Sequence, residues 1–367
     1  MPLNRIIIAS AGAGKTTEII TQALALRPKK CAIITFTLNN VEEIKSKFFE
    51  LNGCIPPEVR IYPWFSFMLY ETIRPYQGVV HSKRISSVHL LNGTSPIAKK
   101  TDIKKYYFNK SNEVYSDKLG AFALLCEEKT NGLVIKRLND MFDHIFIDEL
   151  QDLAGHDIDV IEKLLASPIH LTLVGDIRQS TFRTNYSKKN KAFIGRGLLT
   201  KIATWEKRGL CKLEYKAESR RCIQSICAFA DSIFPDLPKA TSLNNHTTAH
   251  DGIFIVRSPD IAAYVERFNP QVLRRTKVVK SDFPAMNFGV SKGLSFNRVL
   301  IQPYGGITKW LSTGDSSHVK GSADEVYVAI TRARQSVAFV HDGVHKIANV
   351  TVFDPTTQIR GLDLPMG

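Results

Sequence analysis

Residues 9 to 17 read ASAGAGKTT, directly after the apolar run Arg5, Ile6, Ile7, Ile8. Small side chains at Ala11, Gly12, Ala13 and Gly14 let successive backbone N–H groups close on an anion. Apolar residues at Ile19, Ile20, Ala23 and Leu24 predict a helix that begins at once, so its N-terminus faces the same point. Lys15 can then reach the outer phosphates of a nucleotide, Thr16 can present its hydroxyl to Mg²⁺, and Thr17 completes the phosphate cradle. A glycine-rich structural turn gives no reason for Lys and Thr to follow at these places. The first residue of the motif is Ala9 where its simplest form has Gly, and alanine is still small. A strand, a phosphate loop and a helix in this order predict a parallel α/β fold with its chemistry at the carboxyl ends of the strands.

The rest of the chain agrees with that fold. Short apolar runs recur at CAIIT (31 to 35), HIFID (144 to 148), LTLVGD (171 to 176), GIFIV (252 to 256), RVLI (298 to 301) and SVAFV (336 to 340). Several are continuous, as expected where helices cover both faces of a parallel sheet. Between them, Asn40 and Glu43 form a candidate capping box, residues 221 to 234 fit a helix stopped by Pro235, and Ser322 with Glu325 form a candidate cap for residues 323 to 335. At 367 residues and 44% hydrophobic content the chain can fill two cores. We expect a first domain at 1–210, with an insertion at about 78–130, and a second at 211–367.

Lys and Arg number 49 against 35 Asp and Glu, a net charge of +14. This favours a polyanionic partner, but a solvated basic surface or anionic lipid also fits. The amino-terminal apolar run is too short for a signal peptide or a spanning helix, and no long basic amphipathic helix is evident, so a soluble, cytoplasmic protein without membrane attachment is expected. Six cysteines without a C-x-x-C pair fit a reduced compartment and no structural zinc. The insertion carries Lys83, Arg84, Lys99, Lys100, Lys104, Lys105 and Lys110 against Asp102, with Tyr106, Tyr107 and Phe108 nearby. It reads either as a phosphate-facing surface with rings for base stacking or as a solvated loop whose rings pack inward.

Two acidic and amide-bearing stretches carry the remaining chemistry. In HIFIDELQDL the strand holds Asp148 where it can join Thr16 on Mg²⁺, and Glu149 where it can orient water against a γ-phosphate. The alternative, that acids at a strand end cap a helix, suits Asp152 or Asp157 better. In VGDIRQSTFR, Asp176 and Gln179 can line the phosphate side, with Gln179 reporting phosphate state to Phe182 and Arg183; in isolation such residues are more often turn formers. In ADEVYVAITRARQ, Arg332 or Arg334 projects from a helix whose apolar face is Val326, Ala329, Ile330 and Ala333. It is either solvated or stabilises charge on a transferring phosphoryl group, with Arg221 as a second such contact.

In order along the chain, ASAGAGKT, TFTLNNVEEI, IDELQD, VGDIRQSTFR, the region of Arg221, SKGLSF and VYVAITRAR resemble motifs I to VI of the UvrD/Rep family of superfamily 1 helicases. The resemblance runs from Ala9 to Arg334. It implies two tandem RecA-like P-loop NTPase motor domains with a nucleotide cleft between them, using ATP and Mg²⁺ to move on single-stranded or tailed DNA with 3′-to-5′ polarity. It implies catalytic roles for Lys15, Glu149, Gln179, Arg221 and Arg332, and metal ligation by Thr16 and Asp148. Strand contact or coupling falls to Thr35, Phe36, Trp64, Phe65, Phe67, Gln151, Asp152, Phe182, Arg183, Ser291, Lys292 and Gly293. Trp64, Phe65 and Phe67 also read as ordinary core aromatics. Leu38, Asn39, Gly289 and Ser295 depart from the family pattern, and no glutamine motif precedes the first strand, which admits broader NTP use. The short spacer between Arg221 and Ser291 leaves no room for the accessory domain of larger relatives. RNA as substrate, a protein loading or effector partner, and a catalytically quiet nucleic-acid-binding or assembly subunit of a repair, mobile-element or defence complex are the alternatives.

Overall fold

The computed structural model describes residues 4–357. The chain divides into two compact units, residues 1–8 with 15–215, and residues 9–14 with 216–367.

In the first unit the strands are β1 (Asn4–Ala9), β2 (Cys31–Thr35), β3 (Val59–Pro63), β4 (Val88–His89), β5 (Val114–Tyr115), β6 (His144–Ile147), β7 (His170–Gly175) and β8 (Cys211–Lys216). Six form one sheet in the order β3-β2-β6-β7-β1-β8, while β4 and β5 form a separate two-stranded pair inside the expected insertion. Register brings the strand ends to one edge: Ile8 lies opposite Gly175, and Ile147 lies between Ile34 and Leu173. The residues that follow β1, β2, β6 and β7 therefore gather there, where ligands bind in open parallel sheets. All five residues of β2 are buried, as a strand covered on both faces requires.

The second unit repeats the plan. A short pair, β9 (Glu218–Ser219) and β10 (Thr241–Ser242), precedes a sheet of β11 (Gly252–Val256), β12 (Gln271–Arg274), β13 (Ala285–Asn287), β14 (Phe296–Gln302), β15 (Ala333–Val340) and β16 (Val350–Val352). Its order is β13-β12-β14-β15-β11-β16, parallel throughout. Alternate residues serve opposite faces. Val299, Ile301, Val337 and Phe339 meet Ile226, Phe229, Trp310, Val326 and Ile330, whereas Leu300 and Ala338 meet Tyr264 and Phe268. Each unit is thus a RecA-like parallel α/β layer structure.

Several local expectations are corrected. The helix Leu38–Asn52 starts before Asn40, and its cap is Thr37, whose Oγ1 accepts from Asn40 N at 3.1 Å. Ser322 makes no cap bond; its hydroxyl pairs with that of Tyr304. The helix there ends at Ile330 and Ala333 opens β15, so Arg332 sits in the turn and Arg334 on a strand. The helix expected at 221 to 234 is Gln224–Asp231. In the insertion the inward reading holds for two rings: Tyr107 and Phe108 are buried against Phe122, with ring centroids 5.0 and 5.2 Å away. Tyr106 stays half-exposed beneath the Lys118 ammonium. The seven basic residues named above are all exposed. Five of the six cysteines are buried and none is bridged, and no described helix is long and apolar enough to cross a membrane.

Replacing Thr37 by Ala (T37A) removes the one side-chain cap of the helix Leu38–Asn52. The expected cost is about 1 kcal/mol, read as a lower denaturant midpoint with an unchanged slope.

Candidate nucleotide site

The phosphate loop leaves β1 through Gly12 and Gly14, both in the left-handed region at φ +77° and +76°. A Cβ at Gly12 would lie 2.5 Å from Arg221 Cβ and 2.9 Å from Ser219 Oγ, so glycine is required by space as well as by conformation. Within the loop Ala13 N donates to Ser10 O at 3.1 Å, and Gly12 O accepts from Arg220 N at 2.9 Å. Lys15 then opens the helix Lys15–Ala25, whose Ile19, Ile20 and Ala23 are buried. Those side chains fix the helix against its sheet and leave its first turn, with Thr16 and Thr17, partly exposed.

Thr16 and Asp148, 132 positions apart in sequence, meet in the first unit: Thr16 Oγ1 donates to Asp148 Oδ2 at 3.4 Å. Asp148 follows β6 and is 4% exposed; its N donates to Ile34 O at 2.9 Å. Burial and the neighbouring Glu149 carboxylate push Asp148 up to about 7, against the pull of the Lys15 ammonium. A hydroxyl and a buried carboxylate at this separation suit adjacent corners of a Mg²⁺ shell, where neighbouring oxygens lie about 3 Å apart. The donor set fits the ion, and Thr16 and Asp148 are the residues that would hold it. Among the described residues no group of three His, Cys, Asp or Glu forms an all-protein metal cage.

Glu149 occupies the left-handed region, φ +57° and ψ +41°, which a residue with a Cβ seldom adopts. Its N donates to Asp148 Oδ1 at 2.9 Å, and its Oε2 accepts from Gln151 Nε2. Gln151, 1% exposed, uses its other end on the next strand: Gln151 Oε1 accepts from Asp176 N at 3.0 Å. Asp176 is fully buried and holds Gln179 Nε2 at 2.8 Å through Oδ2 and Arg178 Nε at 3.1 Å through Oδ1. The relay Glu149, Gln151, Asp176, Gln179 therefore joins the ends of β6 and β7. Two further bonds stitch the segments together, Ser180 Oγ to Gln151 O at 3.1 Å and Thr184 N to Asp152 O at 2.9 Å.

The expected strand-contacting residues divide sharply. Thr35, Phe36, Trp64 and Phe67 are buried, with Phe36 and Trp64 5.8 Å apart at their ring centroids. Trp64 and Phe67 are thus core aromatics here, and Phe65 alone of that trio is half-exposed. Asp152 is buried, while Phe182 and Arg183 are exposed. In the second unit Ser291 is buried, Lys292 half-buried and Gly293 exposed at φ +89°. Arg221 is half-buried, its Nη1 donating to Thr331 O at 3.3 Å. Arg332 is 1% exposed, with its guanidinium on backbone carbonyls. Sequence reasoning missed Arg178, whose buried pairing with Asp176 has no signal beyond its place two residues after the strand-end acid. It also missed Val290, exposed just before the Ser291-to-Phe296 segment that the sequence singles out for strand contact, in which Leu294 is exposed as well.

The UvrD/REP helicase N-terminal domain model matches residues 103–190, which include the Asp148 and Asp176 segments. No curated protein matches the chain in sequence. Solved structures that overlap it include a PRRSV helicase at 19% identity and TM-score 0.45, arterivirus nonstructural protein 10 (helicase) at 12% and 0.48, and an arterivirus nonstructural protein 10 (helicase) in complex with DNA at 14% and 0.46. Each overlap covers 92% of this chain, but the chain spans only 52%, 59% and 61% of those structures, respectively.

Replacing Gln151 by Leu (Q151L) removes both ends of the relay while keeping the buried volume. Loss of a hydrogen bond to a charged group predicts about ten- to a hundredfold slower phosphate release. Nucleotide affinity, read with a fluorescent nucleotide, is expected to stay within about threefold because no phosphate donor is lost.

Proposed function

We propose that this chain, which matches the UvrD/REP helicase N-terminal domain model over residues 103–190, is a UvrD-like superfamily 1 protein and a Mg²⁺-dependent ATPase that nucleic acid stimulates and that moves along single-stranded DNA. The observation that carries this reading is the meeting of Thr16 with Asp148 at 3.4 Å beside Glu149. A phosphate loop alone binds nucleotide; a phosphate loop with a hydroxyl, a carboxylate and a second carboxylate beside it can also turn nucleotide over.

Backbone N–H groups of Ala11–Gly14 and the Lys15 ammonium hold the phosphates. Thr16 and Asp148 would hold a Mg²⁺ ion, which would supply positive charge against the phosphates. Glu149, aimed by Gln151, orients the attacking water and takes its proton. Gln179, at the far end of the relay, is the phosphate sensor, and its neighbours Phe182 and Arg183 are exposed where a strand can meet them. Arg221 stabilises charge on the transferring group; Arg332 can share that task only by surrendering its carbonyl partners. Polarity is proposed as 3′-to-5′ from the motif resemblance.

Exposed lysines on the insertion support a polyanionic partner. With Tyr107 and Phe108 buried, that surface offers charge more than stacking, so its contribution is salt-dependent and indifferent to base sequence.

Phosphate release from purified protein titrated with equal lengths of single-stranded DNA and RNA tests the reading, and duplexes with 3′ or 5′ tails test polarity. Absence of hydrolysis across salt and NTP conditions overturns it. Glu149→Gln (E149Q) is expected to lower turnover by about a hundredfold or more while nucleotide still binds; near-normal turnover contradicts the assignment. Lys15→Ala (K15A) should lose turnover and weaken nucleotide binding, with an unchanged circular-dichroism spectrum. Replacing Lys99, Lys100, Lys104 and Lys105 together by Gln should flatten the salt slope of oligonucleotide affinity by up to about three log units per log salt, since each neutralised phosphate contact adds about 0.7 on single strands.

A further inference from the structure

Arg332 is a charged residue at 1% exposure, an arrangement that is costly unless its donors are matched. The matches lie within the second unit. Arg332 Nε donates to Val328 O at 3.1 Å, in the last turn of the preceding helix. Its Nη1 donates to Leu294 O at 3.0 Å and to Ser291 O at 3.4 Å. Its backbone O accepts from Phe296 N at 2.8 Å. The segment Ser291–Phe296 is therefore tied to one residue at three places, by side chain and by main chain.

Other bonds also shape that segment, among them Lys292 N to Gly289 O at 3.3 Å. Ser291 Oγ donates to Phe288 O at 2.7 Å and Leu294 N to Ser291 O at 3.0 Å, which anchors the near end and closes a turn. Gly293 stands at φ +89°. On either side Val290 is 66% and Leu294 43% exposed, with Lys292 between them. Two apolar side chains flanking a lysine and a glycine, turned to solvent and pinned from beneath, form a presented surface that core packing does not require.

We infer that Arg332 is a positioning residue, a strap that holds Val290–Leu294 in the shape that meets a single strand whether or not nucleotide is bound. This rests on the proposed reading of the chain as a single-strand motor and adds a task for Arg332 other than contact with a phosphoryl group. A guanidinium suits the strap because its planar fork serves three carbonyls in fixed directions; a lysine ammonium keeps the charge but has no fork.

The test uses the full chain with R332Q and R332K, and Leu294→Ser (L294S) as a variant that leaves Arg332 in place. Amide hydrogen exchange over residues 289–296, the affinity of a fluorescent oligothymidylate without nucleotide, and nucleotide KM are measured. In R332Q the strap predicts faster exchange confined to that segment and about tenfold weaker nucleotide-free oligonucleotide binding, while nucleotide KM stays near the original value. R332K should recover oligonucleotide affinity only in part and stands in if R332Q does not fold. L294S should weaken oligonucleotide binding with exchange around Phe296 unchanged. Unchanged nucleotide-free affinity in R332Q, with hydrolysis alone lost, overturns the inference, as does unchanged exchange. If the unaltered chain binds no oligonucleotide, the motor reading fails, and the exchange comparison still decides whether Arg332 shapes the segment.

Discussion

One side-chain amide joins the two acidic strand ends. Gln151 donates to Glu149 and accepts from the Asp176 backbone, so it satisfies a half-buried carboxylate beyond β6 and a buried N–H beyond β7 with one planar group. Neither could be left unpaired cheaply. A carboxylate in place of Gln151 would lack the donor for Glu149, and an apolar residue would lack both bonds. The amide also carries no charge, so it adds nothing to the repulsion that already raises Asp148. Parallel strands make this economy possible, because adjacent carboxyl ends fall at the same level.

The fold was legible because its central strands are continuous apolar runs. Cys31–Thr35 and His170–Gly175 announce themselves as buried on both faces. Edge strands escaped for the opposite reason: Cys211–Lys216 alternates charge with apolar groups, and Ala285–Asn287 and Val350–Val352 are too short for any period to register. Thr16, Asp148 and Glu149 were legible because strand-end acids gain meaning once a phosphate loop precedes them. Exposure was less legible. Trp64 and Phe67 carry the side chains a stacking surface needs, yet nothing local distinguishes them from core rings, and the packing of Trp64 on Phe36 depends on a residue almost thirty positions away. The fate of the Arg332 side chain likewise depends on a segment some forty positions earlier.

Charge and aromaticity part company in the insertion. Tyr107 and Phe108 give their area to Phe122, and the lysines around them stay in water. Basic side chains concentrate where they need no packing partner, so a short insertion can keep a small core of its own and still present a polycationic face. Asp102 does not dilute that face much: its Oδ1 is occupied by the Lys105 backbone N at 3.1 Å, capping the helix Ile103–Tyr107.

Glu149 also sets chemistry against backbone preference. Its left-handed conformation is one that glycine would adopt without strain, at a saving of about 1 kcal/mol. Selection for stability alone would therefore favour erasing the very carboxylate proposed to handle water. A chain free to drift would soften at that point before its core changed, and the two α/β layers would outlast the reactivity at their edge.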